Sequence, residues 1–156
     1  MTAFAESKIV PYTADLMYRI AADVERYPEF LPWIVAQRIL RRERAGAHDV
    51  LLCETLVGFK NLRERYTSRA TLIPEERRID VANVDGVFRR METHWRCTPE
   101  AEGCRVDFAI DFEFKSRVLG AIAGNIFNVA IARMTKAFQE RARVLSAPSP
   151  PKGKGA

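Results

Sequence analysis

Histidine is nearly missing from this sequence, and much of the usual equipment of catalysis is missing with it. His48 and His94 are the only two in 156 residues, and neither has a Cys or His neighbour at metal-ligand spacing. No GxSxG, GxGxxG, phosphate loop or HExxH occurs, which excludes a nucleophile elbow, a dinucleotide fingerprint and a zinc-protease helix. Cys53, Cys97 and Cys104 are an odd number without ligand spacing, so neither a disulfide framework nor a zinc site is expected. They read as reduced structural thiols in a reducing compartment. The longest apolar run, 118–132, falls short of the ~20 residues of a membrane span and contains Asn125 and Asn128. No basic stretch followed by a long apolar stretch opens the chain, so a secretory signal is not expected. An acidic excess is also lacking: 25 Lys and Arg against 20 Asp and Glu give a formal net charge of +5. That balance suits an acidic partner, either anionic lipid or nucleic acid, and suits a merely solvated basic surface equally well.

What is present is an ordinary globular composition with clear periodicity. One folded domain is expected over 1–145. A strand at 3–12 leads to Thr13 as a helix N-cap, with Asp15 in the first turn. The helix at 14–26 places Leu16, Met17, Ile20, Ala21 and Val24 on one face, and Pro28 ends it. From 33 to 115 the period changes to two, with turns at 45–47, 58, 74–76, 85–86 and 99–103, which predicts about six more strands. Val106, Phe108, Ile110, Phe112 and Phe114 form one apolar strand face. Met91, Thr93, Trp95 and Cys97 share another, and Leu62, Tyr66, Ala70 and Leu72 oppose an outer row of Arg63, Arg65 and Arg69. At 49–57 two alternations compete, so the direction of Glu54 stays open. Residues 117–145 read as one long helix with Phe127, Ile131, Met134, Phe138, Ala142 and Leu145 in a stripe. Its first half is apolar nearly all round, either from deeper burial or because it meets a ligand or a second apolar surface. The Pro, Gly and Lys-rich segment 146–156 is expected to be disordered.

These elements predict an α+β fold: a curved antiparallel sheet of about seven strands wrapped around the long C-terminal helix. A strongly curved sheet need not touch its helix everywhere, and the gap is a candidate apolar cavity. Glu54 and Glu64 are the remaining candidate bases, but surface or salt-bridged roles are the stronger expectation for them. Binding is therefore expected over catalysis. The segment YPEFLPW at 27–33 concentrates aromatic and apolar surface where two prolines argue against regular structure.

Four segments in order carry a more specific signal: PYTADLMYRIAADVERYPEFLPW, VGFKNLRERYTSRATL, VDGVFRRMETHWRCTP, and VDFAIDFEFKS leading to NIFNVAIARMTKAFQERA. Together, over about residues 5–145, they resemble the coenzyme Q-binding START-like proteins. The resemblance implies a helix-grip (START-like) fold with a lipid cavity between the curved sheet and the C-terminal helix, and non-enzymatic binding of ubiquinone, with no catalytic cofactor. Wall residues would be Phe30, Leu31, Trp33, Tyr66, Met91, Trp95, Phe112, Phe114, Phe127, Ile131 and Met134. It further implies a cytoplasmic protein, peripheral at the inner membrane, with transient contact to an anionic membrane surface. The related ribosome-associated toxins supply the alternative partner, the large ribosomal subunit. Phe30-Leu31-Pro32-Trp33 and RERYTS at 63–68 lie closer to the quinone-binding branch. Ile34 departs from it, because many relatives have Cys after that Trp.

Overall fold

The computed structural model describes residues 2–59 and 61–146. Seven strands follow one another in the chain: β1 (Thr2–Val10), β2 (Ile34–Ala45), β3 (His48–Phe59), β4 (Leu62–Ile73), β5 (Arg78–Gly86), β6 (Phe88–Glu100) and β7 (Gly103–Phe114). They form one antiparallel sheet in the order β1-β7-β6-β5-β4-β3-β2. β2 to β7 pair as consecutive hairpins, and β1 closes onto β7. Between β1 and β2 the chain crosses from one edge to the other through α1 (Ala14–Ala22), which packs over β5, β6 and β7. The expected cap is in place: the Leu16 amide donates to Thr13 Oγ1 at 3.1 Å.

Alternation decides which side of the sheet is buried. Val106, Phe108 and Phe112 of β7 are buried, as are Met91, Trp95 and Cys97 of β6. At roughly 1.5–3 kcal/mol for each large side chain fully buried, this face dominates the stability of the sheet. The competition in β3 resolves in favour of Leu51, Cys53, Thr55 and Val57, which are buried. Glu54 therefore faces outward, between Arg38 and Arg65 at 3.1 and 3.3 Å. Register shifts between Ile34 and Ala36, Ile39 and Arg41, Thr67 and Ser68, and Phe88 and Arg90 bend the strands so that the buried face is concave.

Two expectations need correction. The helix begun at 14 ends at Ala22 rather than 26, and residues Val24–Glu29 continue as a 3-10 helix with Pro28 inside it. The first part of YPEFLPW is thus regular after all: i to i+3 bonding ties the Phe30 amide to the Tyr27 carbonyl, and Pro28 removes only one donor. The expected single helix is two, α2 (Arg117–Ala132) and α3 (Met134–Ser146), bent by 42°. Arg133, at φ −98° and ψ 0°, turns its amide to the Ala130 and Ile131 carbonyls and interrupts the ladder. The bend lets α3 pack against α1 and β1 while α2 packs against β7. Beyond it the predicted stripe holds through Phe138 and Ala142, but Leu145 is exposed. Ser146, assigned to the tail, is the last helical residue, and 147–156 lie outside the described residues. Among the described residues no single helix is long and apolar enough to cross a membrane.

Candidate functional site: a cavity under the helix bend

The concave face and the helices do not meet everywhere, and the space left is a cavity of about 130 Å³. β3 to β7 supply its floor, α2 and α3 its roof through Ile126, Phe127, Ala130, Ile131, Met134 and Phe138. The third side comes from Tyr27, Leu31, Trp33 and Ile34. At one end the wall includes Phe59, which is 45% exposed, so the cavity reaches the surface beside the β3–β4 hairpin. Its volume is close to the ~150 Å³ of an apolar cavity able to hold benzene and below the ~300 Å³ at which pockets begin to enclose whole drug-sized molecules. One ring fits; a long chain does not fit beside it.

Eight of the residues expected at a binding wall meet around this space: Leu31, Trp33, Tyr66, Met91, Trp95, Phe127, Ile131 and Met134. Three do not. Phe30 points away, edge-on to Tyr27 and Phe138 and beneath the Arg141 guanidinium at 5.1 Å. Phe112 and Phe114 stand behind the wall, packed on each other, on Phe88 and on Phe127. Of the polar members of the wall, Thr93 lies on the strand face expected for it beside Met91 and Trp95, while sequence reasoning missed Gln37, Thr55 and Ser68. The register shifts in β2 hide the parity of Gln37, and the competing alternations in β3 hide that of Thr55. Ser68 lies on the same alternating face as Tyr66 and Ala70 and could have been found from them.

The wall contains no Asp, Glu, His, Lys or Arg. Its ionisable groups are two phenols and a thiol, all held neutral by burial. Desolvation pushes Tyr27 up, takes Tyr66 to about 12 against the opposing effect of its hydrogen bond with Thr55, and takes Cys53 to about 11. Tyr27 also donates to the Ala21 carbonyl at 2.5 Å, which fixes the turn from α1 into the wall. Gly86 allows the β5 strand end to close over Tyr66: its φ is +115°, and a Cβ there would stand 2.6 Å from the Arg65 carbonyl oxygen. The other candidate acids and bases lie elsewhere. His48 pairs with Glu75 at 2.9 Å, and His94 with Asp80 at 2.8 Å on the outer face. Glu64 occupies an inner register opposite Val57 but is not part of the wall. No metal-holding cluster of His, Cys, Asp and Glu occurs among the described residues.

Residues 10–139 match the family described as polyketide cyclase / dehydrase and lipid transport. The chain belongs to this family. Within its reach lie two kinds of relative. A ribosome association toxin RatA of Rickettsia prowazekii is 30% identical over 92% of this chain and 97% of its own length. The mitochondrial coenzyme Q-binding protein COQ10 homolog B of Xenopus laevis is 33% identical over 89% of this chain, which spans 57% of that relative's length. In three dimensions, a START superfamily protein from Mycobacterium smegmatis superposes with a TM-score of 0.77 at 20% identity, covering 92% of this chain and 99% of that one. The polyketide cyclase and lipid transport family thus includes this sheet-and-helix architecture, and the helix-grip expectation from the sequence holds.

Proposed function

We propose that this protein binds ubiquinone or a similar isoprenoid quinone in the cavity and acts as a carrier or chaperone for it, without catalysing a reaction. The observation that carries this reading is the wall itself. It is mostly apolar and aromatic with a few neutral polar groups, has the volume of one ring, and has no group that is charged at neutral pH. Such a wall favours a neutral ring over an ionic ligand and has no acid or base with which to transform it. Similarity to the coenzyme Q-binding relative supports the choice of ligand.

Delivery to a bilayer has a candidate surface in the face of α2 that points away from the sheet. Val118, Ile122 and Val129 are 70, 61 and 51% exposed at helical spacing, α2 has no acidic residue, and Arg117 and Arg133 stand at its ends. An apolar stripe with basic ends suits a shallow seat on anionic lipid, peripheral to the inner membrane. The ribosome reading draws support from the RatA relative, which this chain matches along nearly its whole length. The surface favours it less. Two of the five net positive charges are Lys152 and Lys154 in the terminal segment, and many outer arginines already face carboxylates, as Arg38 and Arg65 do at Glu54.

The test is a lipid extract of the protein, purified from a ubiquinone-producing host, analysed by mass spectrometry. Ubiquinone at near-stoichiometric amount is expected; its absence, together with co-sedimentation with large ribosomal subunits at low salt, would transfer the assignment to the ribosome.

A further inference from the structure

The cavity is not uniformly apolar. On its inner face one band crosses β2, β3 and β4: Gln37, then Thr55, then Tyr66, with Ser68 next along β4. Thr55 and Ser68 are 2% and 5% exposed, so the fold has buried hydroxyls where Val or Ala would cost less. Two neighbours on this face are also polar: Asn83, the cross-strand partner of Ser68, whose Oδ1 is a buried acceptor without a partner among the described residues, and Glu64, two residues from Tyr66 along β4; the others are apolar or aromatic.

The hydrogen bonds within the band are only partly used up. The Thr55 hydroxyl donates to Gln37 Oε1, and Tyr66 is the cross-strand partner of Thr55 in β4. The Gln37 amide N–H groups and the Ser68 hydroxyl have no side-chain or backbone partner among the described residues. Both are donors, both belong to the cavity wall, and neither carries charge. What they lack is a neutral oxygen acceptor.

We infer that Gln37, held in place by the Thr55 hydroxyl, and Ser68, next to Tyr66 along β4, form a head-group subsite for a ring bearing carbonyl or ether oxygens, with any apolar tail leaving past Phe59. This rests on the quinone-binding reading and adds to it a direction. Tyr66 lies four residues from Leu62 at the hairpin, roughly 13 Å inward at ~3.3 Å per residue, so the band sits well inside the opening. Beyond it the wall is again apolar at Ala70, Ile79, Trp95 and Phe108, which suits the carbon face of the ring. With room for about one ring, the cavity cannot also enclose a polyprenyl chain, and the end at exposed Phe59, flanked by half-buried Leu62 and Ile126, is its way out.

The experiment uses the full chain stripped of lipid, titrated calorimetrically with decylubiquinone and with decylbenzene, which has the same tail and no oxygen. Ser68→Ala and Gln37→Leu should each weaken decylubiquinone by about 3- to 10-fold, the worth of one hydrogen bond, and leave decylbenzene unchanged. The infrared carbonyl stretch of the bound quinone should also move up in Ser68→Ala, a shift that a purely structural role would not produce. Decylubiquinone binding that both variants leave intact, or variants that weaken both probes alike, would overturn the subsite while the quinone reading stands. Binding of neither probe by the wild type would overturn both.

Discussion

Phe138 illustrates how a single side chain can hold this cavity together. It is 1% exposed on α3, and its ring meets Tyr27 and Phe30 edge-on while lying over Trp95 at 4.4 Å. One residue thus joins the C-terminal helix, the YPEFLPW segment and the sheet. Phe138→Ala is expected to cost about 3–5 kcal/mol in urea denaturation, because three rigid elements cannot collapse into the space left. A cost under about 1 kcal/mol would mean that the three are held some other way. The buried ionisable groups make a second prediction. Burial raises Cys53 and Cys97 from 9.0 to about 11 and about 12, and Tyr18 and Tyr66 from 10.0 to about 12. Between those values the folded chain keeps protons that the unfolded chain releases, so stability falls as pH rises. The contribution is complete below about pH 9 and is lost from there to about pH 12. The urea midpoint should therefore be equal at pH 7 and 8 and clearly lower at pH 10.5; an unchanged midpoint at pH 10.5 would contradict the burial of these groups.

At the scale of elements, α2 has two apolar faces with different fates. Ala123, Phe127 and Ile131 turn toward the sheet, while Val118, Ile122 and Val129 stay in solvent. Ile122→Asp combined with Val129→Asp should leave thermal stability nearly unchanged, since exposed substitutions usually stay within about 0.5 kcal/mol each. The same pair should lower flotation with anionic vesicles by at least about tenfold, because each side chain seated in lipid contributes roughly 1.5–3 kcal/mol. Equal flotation would remove α2 from the docking surface. Elements were also where the sequence was most and least readable. β7, and β6 from Met91 onward, were legible residue by residue, because an unbroken alternation there leaves one face for the core. The break at Arg133 was not, since no Pro or Gly marks it and the apolar stripe runs through both helices. The polar wall residue Gln37 was equally hidden, because a shifted register in β2 reverses parity without a trace in composition.

For the whole molecule, the decisive feature is a mismatch: a strongly bent seven-stranded sheet against a helix pair that covers it incompletely. Eight of the eleven residues expected at the wall line the cavity, because inward parity, the helix stripe and the matched YPEFLPW segment point to the same space. Phe30, Phe112 and Phe114 could not be separated from them, because burial in a core and exposure to a cavity leave the same apolar pattern in sequence. The two tryptophans, Trp33 and Trp95, both belong to the wall and are the only ones in the chain. They make the protein's own fluorescence a reporter of what enters. Titration of lipid-free protein with decylubiquinone should quench that fluorescence saturably at one ligand per chain. Fluorescence that stays unresponsive, or falls without saturating, would contradict the account at its centre.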